Sequence, residues 1–364
     1  MKDKLFLIKI VTAFRNRGDL LINKSLIQNL RRYGSVRVVE TGIPDDFLNG
    51  LELATDEIST SLFRDMRKGV FRKSVYFVGI PGHHFGGSEK LASSIGGLAK
   101  TVVMRSMLNI RFIKVGTSIG PITPSLATIE KYKSYFYDLY GVRDTQSLAE
   151  CTPSRMQYFP DLAFLSEDLR RVASLDRDER ARNNDDAYVF VSFRSEIHKL
   201  VDSPGYFQKV KEKLSNWLRL GNAKKVIVGF QVDSDRHACG ELYEHLCSTN
   251  NIDIQLIDST LSLEQSIDLI AAAETVISNR LHVLLPALIL GVPHCCLTDP
   301  SLHTKIAALY SDIGAESCIH DVKSEAELEL PRQEVSAQLK SIAKEQYEKG
   351  VTAFNEALRP VTNT

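Results

Sequence analysis

This 364-residue sequence lacks a long apolar run. Its longest candidate, from Leu281 to Val292, is shorter than the ~18 residues that a membrane span requires. We therefore predict a soluble, cytoplasmic protein without a transmembrane segment. The N-terminal stretch MKDKLFLIKIVTAFRN has a short apolar core, interrupted by Lys9, and no small-residue cleavage site follows it. It predicts a first strand rather than a signal peptide.

Cysteine and net charge are also scarce. The six cysteines form no CxxC pair, and they are too few for a disulfide scaffold, so we predict reduced thiols in a cytosol. Lys plus Arg and Asp plus Glu both number 45, which makes the formal net charge zero. This balance argues against a nucleic-acid-binding stripe or an acidic tail, and any electrostatic function must be local.

The sequence does contain short β-branched and aromatic runs that alternate with longer amphipathic stretches. This pattern is typical of parallel strands joined by crossover helices. The predicted strands are residues 5–11, 36–40, 75–80, 112–115 and 135–139 in the first half, and 188–193, 225–230, 252–257, 275–278 and 294–297 in the second. Clear helices are predicted at 206–220 and 262–273.

A charged, Asn-rich stretch, LDRDERARNNDD, interrupts this alternation after residue 174 and predicts a domain boundary. We predict an N-terminal α/β domain at 1–175 on the acceptor side and a C-terminal α/β domain at 187–330 on the donor side. A terminal helix at 331–364 is predicted to pack back across the first domain. The predicted fold is two doubly wound, Rossmann-like domains facing a cleft. Ligands of such sheets bind outside the carboxyl ends of the strands.

The loop after the first predicted strand, AFRNRGDLLINKSL, is a candidate ligand loop. Its glycine permits close backbone approach, and the helix that opens at about Asp19 offers unpaired N–H groups. The alternative is an ordinary turn in which Asp19 caps the helix. The neighbouring Arg15, Asn16 and Arg17 favour a ligand.

Glycine-rich stretches follow the next strands. VGIPGHHFGGSEK carries His83 and His84 before a predicted helix start at Ser88, and its spacing matches neither a phosphate-binding P-loop nor a dinucleotide fingerprint. No acidic or thiol cluster accompanies the two histidines at ligand spacing, so we predict no metal site. GTSIGP, with Ser118, is predicted just past a strand, where it either faces the cleft or serves only as a turn.

Cations occur at many of the predicted strand ends. Arg143 lies in YGVRDTQSLAE, where it could form a surface pair with Asp144 or clamp an anion in bidentate fashion. In the second half, four strand ends carry Arg194, Arg236, Arg280 and Lys305. This repetition predicts a convergent cationic pocket.

Taken in order, NRGD, GTSIGP, VRDTQS, PDLAF, SNRLHVLLPALILGVP and HTK resemble the polysaccharide pyruvyl transferase family, from Asn16 to about Lys305. The resemblance implies a GT-B-like fold and transfer of pyruvyl from phosphoenolpyruvate to two hydroxyls of a cell-surface sugar, forming a cyclic ketal. It associates Arg280 and His282 with donor binding and catalysis, and it also points to Arg143 and Lys305. GIPGHHFGG departs from the plainer glycine run of relatives. This departure leaves the identity of the acceptor open, more than that of the donor.

The residues suit that chemistry on their own terms. Phosphoenolpyruvate carries a carboxylate and a phosphate on one small frame, so its site needs several cations, and arginine suits planar oxyanions. The predicted donor ligands are Arg280, Lys305, Arg143 and Arg194. His282 is the predicted general acid and base because imidazole titrates nearest neutrality, with Asp19 and Asp144 in reserve.

The predicted acceptor-binding residues are Asn16, Asp19, His83, His84 and Ser118, and no cofactor is expected. The acceptor sugar could be lipid-linked or nucleotide-linked, and a lipid-linked one would bring the protein to the inner membrane face as a peripheral enzyme. Two alternatives stay open. One is a sugar-nucleotide glycosyltransferase, although SLHTK has a cation where such enzymes commonly place an acid that binds ribose. The other is a non-catalytic carbohydrate-binding relative.

Overall fold

The computed structural model describes residues 3–70, 74–175, 187–195, 205–329 and 335–359. Contacts divide the chain into two compact units. The first unit comprises Met1–Phe14, Asp19–Ser166 and Gln346–Thr364, and the second comprises Arg15–Gly18 and Glu167–Glu345. These limits differ from the predicted domain ends. The predicted linker at 176–186 and the predicted start of the terminal helix at 331–334 lie outside the described residues.

The first unit contains an eight-stranded sheet whose described pairings are all parallel. Its strands are β1 (Lys4–Ile8), β2 (Ser35–Val39), β3 (Ile58–Ser59), β4 (Ser74–Gly79), β5 (Gly82–Gly86), β6 (Arg111–Ile122), β7 (Leu139–Val142) and β8 (Gln157–Tyr158). Their order is β3-β2-β1-β4-β6-β7-β8, and β5 pairs with β6. The order reverses between β1 and β4, as in a doubly wound fold.

The second unit contains a six-stranded parallel sheet. Its strands are β9 (Val189–Ser192), β10 (Lys225–Val228), β11 (Asp253–Leu256), β12 (Thr275–Ser278), β13 (His294–Thr298) and β14 (Ile319–Asp321). The order β11-β10-β9-β12-β13-β14 is the Rossmann order 3-2-1-4-5-6. The switch point, where such sheets bind ligands, therefore lies beyond the ends of β9 and β12.

Helices connect the strands of both sheets. Those that begin before residue 151 are α1 (Arg17–Arg31), α2 (Asp45–Gly50), α3 (Leu62–Val70), α4 (Leu91–Leu108), α5 (Pro124–Ser134) and α6 (Thr145–Glu150). Those that follow are α7 (Glu167–Ala173), α8 (Tyr206–Arg219), α9 (Arg236–Thr249), α10 (Leu263–Ala272), α11 (Leu281–Leu290), α12 (Thr304–Asp312) and α13 (Val335–Leu358). No helix in the described ranges is both long enough and apolar enough to span a bilayer.

The core of each unit follows from the apolar character of its strands. In the second unit, β9 and β12 are buried at every position, as expected for central parallel strands covered on both faces. Val191 and Ile277 pack with Val210 and Trp217 of α8 and Leu242 of α9 in one cluster. This packing fixes the ends of β9 and β12, from which the site residues emerge.

The two-domain parallel α/β class is confirmed, and most predicted strands lie within a few residues of the observed ones. Thr275–Ser278 matches in full. The predicted strand at 135–139 is wrong, because α5 ends at Ser134 with Tyr135 as its C-cap and β7 begins only at Leu139. GTSIGP is not past a strand but inside β6, where Gly116 and Gly120 take positive φ, and GHHFG forms β5 beside it.

Candidate active site

The N-terminus of α11 lies at the switch point of the second sheet. Arg280 occupies its N-cap position in extended conformation, and the first turn contains no acidic residue. Helix N-termini attract anions, so a cation here adds to the positive end of the helix dipole instead of balancing it. Pro286 removes the N–H that would bond the carbonyl of His282, and His282 has non-helical dihedrals (φ −86°, ψ 18°).

Asn279 joins the ends of β9 and β12. Its Nδ2 donates to the carbonyl of Arg194 at 2.9 Å, and its Oδ1 accepts from the Arg194 N–H at 3.0 Å. The hydroxyl of Ser278 donates to the carbonyl of Ser192 at 2.5 Å and accepts from the N–H of Arg280 at 2.9 Å. These bonds hold Arg194 and Arg280 side by side at the carboxyl edge of the sheet.

Asp235 is the acidic partner of this pair of arginines. Its Oδ2 lies 3.1 Å from Nε of Arg280, and Asp235 is buried. Burial raises the pKa of the Asp235 carboxyl, although the charges of Arg280 and Arg194 act in the opposite direction. The carboxyl group of Asp235 therefore lies close to the charges of two guanidinium groups.

The segment Arg15–Gly18 belongs to the second unit and lies against this site. Asn16 Oδ1 accepts from Gln231 Nε2 at 2.7 Å and from the N–H of Gly18 at 2.9 Å. A Cβ on Gly18 would lie 2.5 Å from Nδ1 of His282 and 2.4 Å from Nε2 of Gln231. Only glycine fits there without a shift of His282. The structure thus places Asn16 and His282 in one site.

Lys305 lies in the first turn of α12, in the same unit. His303, two residues earlier, bonds Thr298 and packs edge-on against the ring of Tyr206 at 6.3 Å between centroids. Asn279 donates to the hydroxyl of that tyrosine at 3.1 Å. The loop before α12 is therefore tied to the switch point through Tyr206, whose pKa burial raises to about 12.

Arg143, a predicted donor ligand, lies in the first unit in a closed, buried network. Its Nη1 is 2.5 Å from Asp161 Oδ2, and its Nε donates to the hydroxyl of Ser118 at 2.8 Å. Ser118 in turn donates to Asp144, which caps α6 through the N–H of Ser147 at 2.7 Å. Arg143 is 6% exposed, and Ser118 is buried as well. Their predicted roles as ligands stay predictions, and the observed contacts are structural.

The two histidines of GHHFG lie in β5, also in the first unit. His83 Nε2 is 2.5 Å from the carbonyl of Gly120, and His84 Nε2 is 3.7 Å from Glu130. Burial and the charge of Lys114 lower the pKa of His84 to about 4, so its imidazole is neutral at pH 7. Across the described ranges, no group of three or more His, Cys, Asp or Glu residues is arranged to hold a metal ion.

Asp19 is placed near the start of α1. Its carboxylate accepts from the hydroxyl of Thr12 and from the N–H of Ala13 at 3.2 Å. Arg236, the remaining strand-end cation, pairs with Asp258 at 2.8 Å on the surface. The predicted cations of the second half thus separate into Arg194 and Arg280, which share Asp235, and Arg236, which has its own acidic partner.

Sequence reasoning missed the supporting residues of this site. Asn279 lies within SNRLH, but its double bond to Arg194 depends on β9 and β12 being neighbours. Asp235 lies in the segment after β10, and its contact with Arg280 likewise depends on the order of the strands. The prediction that Gly18 permits close backbone approach did not identify His282 as the residue that lies against it. A signal for Gly18 existed in the placement of a glycine at the start of a helix next to a strand end.

Solved structures of similar fold identify the fold class of the chain. The chain resembles UDP-GlcNAc 2-epimerase from Neisseria meningitidis bound to UDP-GlcNAc (TM-score 0.51, 12% identity, 97% of each chain covered). It also resembles the S. aureus MnaA–UDP structure (0.51, 9% identity, 98% of this chain and 91% of that one) and a glycosyltransferase from Rickettsia africae (0.51, 10%, 99% of each). These similarities show a GT-B-like fold and nothing more specific.

Residues 16–300 match the polysaccharide pyruvyl transferase family, and the chain belongs to that family. A comparison with curated proteins gave no match. The match begins at Asn16 and includes Arg194, Asp235, Arg280 and His282. Family membership supports transfer of a pyruvyl group to a polysaccharide.

Proposed function

We propose that the protein transfers pyruvyl from phosphoenolpyruvate to two hydroxyls of one sugar, with formation of a cyclic ketal and release of phosphate. The observation that supports this best is Arg280 at the N-terminus of α11, a helix without an acid in its first turn. Arg194 is bonded to the same edge through Asn279. Such a site favours a compact anion, because both the side chains and the helix end are positive.

The proposed reaction begins with protonation of the methylene carbon of phosphoenolpyruvate, which gives a methyl group and a cationic centre at C2. A sugar hydroxyl attacks C2 and loses its proton. The C2–O bond to phosphate then breaks, with the electron pair leaving on phosphate. The second hydroxyl attacks C2, loses its proton and closes the ketal. Over the whole reaction, one hydroxyl proton replaces that given to the methylene carbon and the other leaves with phosphate.

In this proposal Arg280 and Arg194 bind the carboxylate and phosphate, and Lys305 adds a third cation from α12. His282 supplies and removes protons, which ordinarily contributes ~10²- to 10⁴-fold to a rate. Asp235 orients Arg280 through its 3.1 Å contact. The acceptor-binding roles of Asn16, Asp19, His83 and His84 are parts of the proposal that rest on the sequence prediction, and a lipid-linked or nucleotide-linked acceptor is a further part of it.

The test measures phosphate release from phosphoenolpyruvate with a panel of sugar acceptors, and ketal formation by NMR. We expect His282→Ala to lower the rate by ~10²- to 10⁴-fold, and Arg280→Ala to lower kcat/KM strongly. Arg236→Ala is the matched control, because Arg236 also follows a strand of the second unit but forms only a surface pair. Full activity of His282→Ala would refute its role. Nucleotide release from a sugar nucleotide, without phosphate release, would favour the glycosyltransferase alternative.

A further inference from the structure

One surface of the first unit has an unusual distribution of apolar side chains. Helix α4 carries Ile95, Ala99, Val103 and Met107 at intervals of four residues, and all four are exposed. Met107 is 77% exposed and Val103 is 51% exposed. Residues four apart share one side of a helix, so these side chains form an apolar stripe on the outside.

The inward side of the same helix is partly polar. The buried residues of α4 are Ser94, Thr101 and Met104, and the hydroxyl of Thr101 bonds the carbonyl of Gly97. A surface helix normally directs its apolar residues to the core and its charges to water. Helix α4 departs from this pattern because it has apolar residues on both sides, with Leu91, Leu98 and Val102 partly buried, and it contains no acidic residue.

Helix α3 extends the same surface. Leu62 and Met66 of α3 pack into the hydrophobic cluster that also contains Met104 of α4, so both helices cover one face of the sheet. On the outside of α3, Phe63 is 68% exposed and is followed by exposed Arg64. We call the exposed Phe63, Arg64, Arg67, Lys100, Val103 and Met107 the α3/α4 surface.

The charge around this surface is one-sided. Between residues 61 and 114 the sequence contains ten Lys and Arg but only Asp65 and Glu89 as acids, although the whole chain is balanced at 45 each. Of the basic residues, Arg105 and Arg111 share the single carboxylate of Asp138. Among the side chains of α3 and α4 that the structure describes, the exposed charged ones are Arg64, Arg67 and Lys100, so the surroundings of the apolar stripe are basic.

We infer that the α3/α4 surface binds the anionic face of a phospholipid bilayer, with Phe63, Val103 and Met107 inserted at the level of the headgroups. Apolar and aromatic side chains beside Lys and Arg are the combination that holds a protein in a membrane interface. Each basic residue near an anionic leaflet adds attraction that salt weakens. The inference concerns binding and does not depend on the proposed reaction.

The test is flotation of the full-length protein with vesicles. We expect binding to an equal mixture of phosphatidylcholine and phosphatidylglycerol, little binding to phosphatidylcholine alone, and weakening by salt. The variant Val103→Glu/Met107→Glu should bind about tenfold or more weakly, because it removes two inserted apolar groups and adds two negative charges. Leu220→Glu in the second unit is the matched control, since Leu220 is equally exposed at 61% and should not matter.

A second variant, Arg64→Glu/Arg67→Glu, should lose the preference for the anionic lipid, whereas Lys209→Glu/Arg219→Glu in the second unit should keep it. Circular dichroism verifies that each variant is folded. Equal binding of wild type and both α3/α4 variants would overturn the inference. So would sedimentation that shows a dimer dissociated by Val103→Glu/Met107→Glu without any vesicle binding, because a second copy would then cover the stripe.

Discussion

Each unit holds an arginine–aspartate pair near the carboxyl end of its sheet, and the two pairs differ. In the first unit, Arg143 and Asp161 are 2.5 Å apart, and Asp161 also accepts from the N–H of Ala163 at 2.9 Å. In the second unit, the contact between Arg280 and Asp235 is longer, at 3.1 Å, and burial raises the pKa of Asp235. The first pair receives further hydrogen bonds to Ser118 and from Ala163, whereas the second lies close to another guanidinium group, that of Arg194.

The ends of parallel strands thus carry a structural ion pair in one unit and a proposed binding site in the other. A buried ion pair is stable only if further hydrogen bonds satisfy both partners, as Ser118 and Ala163 do in the first unit. In the proposed site the arginines instead bind an anionic ligand, and two of them, Arg194 and Arg280, act on the one carboxyl group of Asp235.

The largest expected effect is on the stability of the first unit. Asp161→Asn would leave the Arg143 guanidinium buried without its counter-ion, and removing one partner of such a pair costs about 3–5 kcal/mol. Asp235→Asn should change the free energy of unfolding by less than about 1 kcal/mol, because burial already disfavours that carboxylate. Urea unfolding of both variants checks the comparison. Similar losses in the two variants would show that the pairs are equivalent.

The second prediction concerns pH. His294 in β13 is buried, with its Nε2 3.0 Å from the Tyr310 hydroxyl, and burial lowers its pKa to about 4. Because the unfolded state then binds more protons, this contribution to stability is complete above pH 6.5 and is lost as pH falls toward 4. We expect a loss of about 3 kcal/mol in that window, and His294→Gln should lack it.

His84 in the first unit is a partly exposed counterpart of His294. Its pKa is also lowered to about 4, but its side chain is 28% exposed and lies beside Glu130. His84→Gln should therefore remove a smaller part of the acid sensitivity than His294→Gln. The measurement is the urea midpoint of wild type and both variants between pH 7 and pH 4. A larger effect at His84 would contradict the burial argument.

How far could the sequence alone have led? The alternation of strands and helices predicted both parallel sheets, because their buried strands are short runs rich in β-branched and aromatic residues, such as TVIS and VFVS. Because the predicted strands also locate the strand ends, the cations at those ends could be identified from the sequence. Their partners could not, since Asn279 meets Arg194 and Asp235 meets Arg280 only after the order of strands is known. The glycine-rich segments GHHFG and GTSIGP resemble loops in the sequence. In the structure they are parts of β5 and β6, which pair with each other through these residues.

Gly18 and Gly141 both lie so close to neighbouring side chains that a Cβ at either position would clash with them. Gly18→Ala would push a Cβ against His282 and Gln231, and Gly141→Ala in β7 would place one 2.4 Å from Cβ of Phe159. Overpacking of this kind costs about 1–3 kcal/mol. Only Gly18→Ala should also lower kcat/KM, because it displaces the proposed acid. Assays and thermal melts of both variants distinguish the cases, and an unchanged kcat/KM in Gly18→Ala would separate this glycine from the site.

The smallest expected effect is a gain in stability from two glycines that have open space around them. Gly96 in α4 and Gly240 in α9 belong to different units, and a Cβ on either would meet nothing within 4 Å. Alanine restricts the unfolded chain more than glycine does, so Gly96→Ala and Gly240→Ala should each stabilise the protein by about 0.5–1 kcal/mol. Thermal melts measure the gain, and activity should not change. If either substitution destabilised its unit, the costs at Gly18 and Gly141 could no longer be assigned to the particular atoms that their Cβ would meet.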